Sequence, residues 1–313
     1  MGEENLPQST VQISLPGFVI DVAESERLAR SLGHRMVDDL LPSLVPAAMR
    51  HAQVPISRFP VGAVGLGSSG RIYIGVNLEY PGLPLHHSVH AEQFLLCNAA
   101  AHGETWIRSI AVSHMPCGHC RQFLQEVRDS SDIRVLVTSD GPDAVYRPLS
   151  VLLPRPFGPP DLLHKDVPLL LDSHNNDLGE FEKVLEGSVG SCNGEVEDSQ
   201  LEKKLREEAE RAARGSHAPY SGCPAGFSVA DSEGGVYAGS YFESAAYNPS
   251  LGPIQAAMIA KVIGSSVTDI VAAALVEREN GLVSHEGTAR AFLAAVVPSA
   301  KLHVYRYKKS DES

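Results

Sequence analysis

Apolar positions between residues 61 and 138 come in runs whose period changes from one run to the next. Short, β-branched runs bounded by Gly, Asn or Ser predict strands at 61–67, 71–78, 107–113 and 133–138. Longer runs predict helices at 90–102 and 117–128; the first, HAEQFLLCNAAAH, has no Gly or Pro before Gly103 and reads as buried on all sides. Upstream, Asp21 to Leu32 and His34 to Leu44 carry apolar residues at helical spacing. Alternating strands and helices imply a layered α/β sandwich with parallel members in its sheet.

The pattern then repeats. Pro55, Ser57, Pro60, Gly62, Gly75 and Glu79 recur as Pro219, Ser221, Pro224, Gly226, Gly239 and Glu243, each 164 positions on. Arg121-Gln122-Phe123-Leu124 lines up with Arg290-Ala291-Phe292-Leu293. Turn and core residues are kept, so a duplicated domain is expected. The organisation reads as an N-terminal helical segment (1–50), a first domain (51–153), an extended linker (154–200), a second domain (201–308) and a disordered tail (309–313). Residues 186–200, rich in Gly, Ser and acids, read as a flexible insertion within the linker.

Candidate chemistry concentrates in the first copy. His90-Ala91-Glu92 and Pro116-Cys117-Gly118-His119-Cys120 each open a predicted helix, where unpaired backbone N–H groups favour negative charge. Three ligands, His90, Cys117 and Cys120, with one unbound carboxylate, Glu92, describe a catalytic zinc site with an open fourth position. Alone, the Cys pair would also suit a redox motif, but the His90–Glu92 helix has no task in that reading. In the second copy Gly252-Pro253-Ile254-Gln255 stands for HAEQ, and Glu286 and Ala289 stand for the two cysteines. Phe59 becomes Cys223 and Asn77 becomes Tyr241, so the second copy is expected to hold neither metal nor activity.

Composition narrows the setting. A chain of 313 residues, 43% hydrophobic, suits about two domains. Its net charge of -12 argues against a polynucleotide partner, which would need basic stripes to neutralise phosphates. Five cysteines, an odd number with no disulfide-framework spacing, suit a reducing compartment, and the acidic start MGEENLPQST leads to the expectation of no signal peptide or membrane span. A cytoplasmic protein is expected.

Val54 to Thr138 resembles the cytidine deaminase family, in its long two-domain class. The likeness rests on Ser57 to Ala63 (SRFPVGA), Asn77-Leu78-Glu79, the H-x-E and PCGHCRQF runs, and the linker segment LLPRPFGPPDL from Leu152 to Leu162. H-x-E followed by PCxxC is the signature of zinc-dependent base deaminases. The resemblance implies a three-layer α/β/α sandwich with a mixed sheet, duplicated into a catalytic and a noncatalytic domain. It implies one catalytic zinc per chain, a homodimer, and hydrolysis of free cytidine and deoxycytidine in pyrimidine salvage. Zinc would activate water for attack on C4, with Glu92 relaying protons. Asn77 and Glu79, two apart on one strand face, would hold the ribose 3′-hydroxyl, where a carboxylate would repel a phosphodiester. Phe59 would stack on the base, the Ala91 N–H would reach its O2, the Met115 carbonyl its 4-amino group, and Phe157 would close the site from a neighbouring subunit. The rivals are a nucleotide or nucleic-acid cytosine deaminase and a silent zinc protein that binds nucleosides.

Overall fold

The computed structural model describes residues 13–184, 199–265 and 269–308. In chain order its elements are β1 (Val19–Ile20), α1 (Val22–Ser31), α2 (Val37–Met49), β2 (Gly62–Gly67), β3 (Ile72–Val76), α3 (Ala91–Ala101), β4 (Ile107–Val112), α4 (Gly118–Phe123), β5 (Arg134–Val137), β6 (Arg147–Pro148), α5 (Leu149–Leu152) and α6 (Pro159–Leu162). There follow β7 (Glu180–Val184), α7 (Gln200–Arg214), β8 (Gly226–Asp231), β9 (Val236–Ser240), α8 (Pro253–Gly264), β10 (Ile270–Arg278), α9 (Glu286–Val296) and β11 (Lys301–Lys308).

The strands form two mixed sheets ordered β1-β3-β2-β4-β5-β6 and β7-β11-β10-β8-β9. In both, two antiparallel pairings lead to one parallel pair, β4 with β5 and β10 with β11. An antiparallel strand then lines each parallel pair, β6 beside β5 and β7 beside β11. The isolated bridges Gln53–Leu78 and His217–Phe242 keep the 164-residue offset. Helices cover both faces of each sheet, giving α/β/α layers duplicated as expected.

The main core lies between the sheets, where α3 and α8 pack on each other. Phe94, Leu95 and Leu96 on α3 are fully buried, each burial contributing about 1.5–3 kcal/mol. The buried amide of Asn98 donates to the carbonyls of Phe18 and Ile74, tying the helix to β3. A Cβ on Gly75 would stand 2.1 Å from the Ala91 carbonyl oxygen, and one on Gly239 would stand 2.0 Å from the Ala257 nitrogen. The duplicated glycines therefore mark where helix backbone meets strand backbone.

Three boundaries differ from the pattern. Helix α2 starts later, at Val37, and runs on to Met49 through Pro42 and Pro46. An interior proline weakens a helix by about 3 kcal/mol, but Leu40, Leu41, Leu44, Val45 and Ala48 are all buried beneath β2 and hold it. Helix α4 gives way to a 3₁₀ turn, Leu124–Glu126, instead of continuing to residue 128. There Glu126 turns toward the second domain, accepting from the Leu170 N–H with its carbonyl and from His217, Tyr220 and the Ala245 N–H with its buried carboxylate. The short strands β1, β6 and β7 stand where no strand was expected. The insertion at 186–200 lies outside the described residues except for Ser199, whose hydroxyl caps α7, and Gln200, which opens it. The tail at 309–313 lies outside them as well.

Candidate functional site

Strands β3 and β4 run in the same direction, and the segments leaving their ends converge on the starts of α3 and α4. His90 is the N-cap of α3 and Cys117 the N-cap of α4, with Cys120 one turn further on. The Nδ1 of His90 lies 3.5 Å from the Cys117 Sγ and 3.3 Å from the Cys120 Sγ. A tetrahedral zinc with sulfur at about 2.3 Å and nitrogen at about 2.0 Å would hold such donors roughly 3.5 Å apart. The donor chemistry and spacing therefore fit a zinc ion.

His119 offers a competing third donor. His90, His119 and Cys120 also bring ligand atoms within 4.8 Å of one another. However, the His119 Nε2 faces the carbonyl of Asn248 at 3.2 Å, and its Nδ1 is buried without a partner. The closer spacing favours Cys117 over His119.

The protons of the cluster are unevenly shared. The Cys117 thiol is pushed down to about 3, chiefly because Cys120 donates to it and then because His90 does. Cys120 is pushed up by the same sharing and by burial, and the Cys117 sulfur raises His90. Glu92, 4% exposed, faces Cys120, and burial raises its carboxyl above the usual range.

The neighbouring surface is built by residues 54–61. Glu79 Oε2 accepts from the backbone N–H groups of Ile56 and Ser57, each at 2.9 Å. Burial pulls the Glu79 carboxyl upward, but the Ser57 hydroxyl and the two amides together hold it below the ordinary range. Asn77 accepts from the Val61 N–H and donates to the Phe59 carbonyl, bracing the loop that carries Phe59. The Phe59 ring is 51% exposed and tilts against His114 with centroids 4.5 Å apart. Met115, 40% exposed, precedes the Pro116–Cys117 turn. Ala91 is buried at the first position of α3. Phe157 sits on the linker, its carbonyl accepting from Gln122 on α4 while its ring stays half exposed. So His90, Glu92, Cys117 and Cys120 come together, with Glu79 and Asn77 framing the adjacent loop.

Two residues not singled out in the sequence also reach the site. Gln93 accepts from the His90 N–H and donates to the Pro249 carbonyl, and His119 meets Asn248. Both join the cluster to the second domain's loop 244–250. His119 lies inside the PCGHCRQF run, but no local signal announces a partner 129 positions away.

In the second copy Gly252 caps α8 where His90 caps α3. Glu286 is engaged by Arg290 and Arg306.

Two family models sharing the description "Cytidine and deoxycytidylate deaminase zinc-binding region" match residues 36–136 and 149–290. Cytidine deaminase 1 of Arabidopsis thaliana is 48% identical over 302 residues, 93% of this chain and 97% of that protein. A cytidine deaminase of Yersinia pestis is 37% identical over 281 residues, 89% of this chain and 86% of that protein. The crystal structure of cytidine deaminase from Mycobacterium tuberculosis is 32% identical, covering 38% of this chain and 96% of its own, with a TM-score of 0.34.

Proposed function

Because the chain belongs to the cytidine and deoxycytidylate deaminase family, we propose that it hydrolyses free cytidine and deoxycytidine to uridine and deoxyuridine, releasing ammonia. The observation that carries this reading is the convergence of His90, Cys117 and Cys120 beside the buried carboxylate of Glu92. His90, Cys117 and Cys120 would hold one zinc, whose Lewis acidity makes water a nucleophile at neutral pH.

Proton transfer falls to Glu92. Its carboxyl group, raised by burial, takes one proton from the attacking water and delivers it to ring N3, then takes the remaining proton from the C4 hydroxyl of the adduct and passes it to the departing amine as the carbonyl forms. Acting first as base and then as acid requires a group that is not itself a ligand. Ala91, as the first residue of α3, has an N–H without an intrahelical acceptor and is placed to donate to the base O2. The Met115 carbonyl takes the 4-amino group, and the Phe59 ring stacks on the base.

Glu79 accepts the ribose 3′-hydroxyl, and Asn77 positions the loop while offering its second N–H to the same oxygen. A carboxylate there disfavours a phosphodiester. Together with the net charge of -12, this speaks against nucleic acid. Phe59, Leu85, Met115 and Phe157 are all exposed large apolar side chains. Their exposure supports a homodimer whose second subunit covers the site, with Phe157 closing over a partner's pocket. Among the described residues no helix is long and apolar enough to cross a membrane; we place the protein in the cytoplasm on its cysteine usage.

The test is chromatographic conversion of cytidine to uridine by purified, zinc-loaded protein beside Glu92→Ala. The wild type should convert, and the variant should lose about 10²–10⁴-fold of the rate. Bound zinc without conversion by either protein would sink the proposal.

A further inference from the structure

The second domain keeps a pocket where the first has the sugar end of its site. Glu243 Oε2 accepts from the backbone N–H groups of Tyr220 and Ser221 at 2.8 and 3.1 Å, as Glu79 does from Ile56 and Ser57. The Ser221 hydroxyl accepts from the Cys223 N–H, as Ser57 does from Phe59. Even the backbone between them is kept: Arg58 at φ 54° and Gly222 at φ 63° share the left-handed conformation. The cradle has therefore outlasted the metal ligands.

The space beside it is a cavity of about 310 Å³ lined by Tyr241, Glu243, Ser244, Tyr247, Leu282 and Val283, among others. That is the lower end of the range for small-molecule sites, about 300–1,000 Å³. Ser244 stands in the cavity wall, fully buried. The lining is rich in hydroxyls and carries no lysine or arginine. Glu243 lines it, so an anionic ligand would meet a carboxylate. The outer wall is apolar, with Tyr247 and Leu282 exposed to 68% and 90%. These features describe a neutral molecule with sugar hydroxyls at one end and a flat ring at the other.

The pocket is joined to the first site by its own wall. Ser244, Tyr247 and Ser250 belong to the loop whose Asn248 and Pro249 carbonyls meet His119 and Gln93. Ser250 accepts from the Ser244 N–H, closing the loop on itself, and Tyr247 holds a left-handed φ of 63°. Gln93 in turn accepts from the His90 N–H. A ligand that shifts this loop would shift the helix start that carries His90.

We propose that the second-domain pocket is a noncatalytic nucleoside-binding site whose occupancy is relayed by loop 244–250 to the first domain's site. The inference rests on the reading of the Glu79 cradle as the sugar end of that site. Without a zinc-ligand set or a proton carrier, a nucleoside bound here leaves unchanged. The product of the proposed reaction would then act as a regulator as well as a competitor.

The test is equilibrium dialysis of labelled uridine against the zinc-loaded full chain, with cytidine turnover measured on the same samples. Wild type should bind two uridines per chain, and Glu79→Ala should keep the second-domain one. Glu243→Ala and the pocket-filling Val283→Trp should each weaken the second uridine by at least about tenfold, the loss of one charge-assisted hydrogen bond or of the space itself. Both should turn over cytidine at the wild-type kcat while losing any noncompetitive part of uridine inhibition. Val283→Trp leaves the Glu243 cradle intact, so it serves if Glu243→Ala unfolds. One uridine per chain in the wild type, or two that neither second-domain variant disturbs, would overturn the proposal even with full deamination. Two uridines with no deamination would instead remove the proposed activity and keep the pocket.

Discussion

At the head of α3 stands His90, and at the head of α8 stands Gly252; Cys117 opens α4, and Glu286 opens α9. Around these differences the two domains keep the same order of four central strands, the same bridge beyond β3 and β9 and the same carboxylate cradle. Scaffold and chemistry therefore reside in different residues. Glycines and prolines fix where backbones approach and turn, and replacing any of them disturbs packing. The helix starts carry reactive side chains, and exchanging an N-cap costs only about 0.5–2 kcal/mol, which a packed domain can absorb. A duplicated domain can thus lose its reaction while keeping its shape.

The sharpest way to break this comparison is to treat the two sets of helix-start residues alike. Cys120→Ala or His90→Ala should abolish both zinc retention and cytidine turnover, read by metal analysis and product chromatography. Glu286→Ala, at the position of Cys117, should leave zinc content and kcat unchanged. Zinc retained by Cys117→Ala and lost by His119→Ala would instead make His119 the third ligand.

The next effect concerns the two cradles. Glu79→Gln should lower kcat/KM for cytidine by about 10–10²-fold, the equivalent of a charged hydrogen bond of roughly 1.5–3 kcal/mol. Glu243→Gln should not change kcat/KM at low substrate. Equal losses in the two variants would show that the cradles serve stability and not the substrate.

How much of this was legible in the sequence depends on range. The run from His90 to Ala101 announced its helix because it is buried on all sides. The repeat was visible because Pro, Ser and Gly at turns and close approaches tolerate few replacements. The two- to five-residue strands β1, β6 and β7 were not, since a short edge strand takes its pairing from the sheet it joins. Glu126 read as a position inside a helix, and nothing local predicts that its carboxylate will bind His217 and Tyr220 across the domain boundary. The contact of loop 244–250 with His119 and Gln93 was hidden for the same reason. Sequence pattern carries local geometry, whereas coupling between the copies arises only once both have folded.

Packing should respond alike in the two domains. Gly75→Ala and Gly239→Ala each drive a methyl into helix backbone at about the same distance. Each should destabilise by about 1–3 kcal/mol or more, seen as a lower urea midpoint. A large loss at Gly75 with none at Gly239 would mean that the second domain is packed more loosely than its counterpart.

The smallest effect is a difference in acid response. His285, 8% exposed and one residue before Glu286, packs against Tyr241 with ring centroids 4.4 Å apart, and its Nε2 has no partner. Burial lowers it from 6.5 to about 4. The buried Glu277 beside it accepts from the His285 backbone N–H and the Ser284 hydroxyl, and Arg306 lies 3.7 Å from the same carboxylate. In the unfolded chain the imidazole gains its proton near pH 6.5, whereas in the fold it resists protonation down to about pH 4. Its contribution to stability is therefore complete above pH 6.5 and is lost as the pH falls toward 4. By pH 5 the loss is about 2 kcal/mol. His285→Phe, which keeps the ring and removes the proton site, should match the wild type at pH 7.5 and exceed its urea midpoint at pH 5. Carboxylates that titrate in the same window are common to both proteins and cancel in the difference. Parallel stability curves for the two proteins between pH 7.5 and 5 would show that His285 is not held neutral, and that the second domain's altered site is wetter than its packing implies.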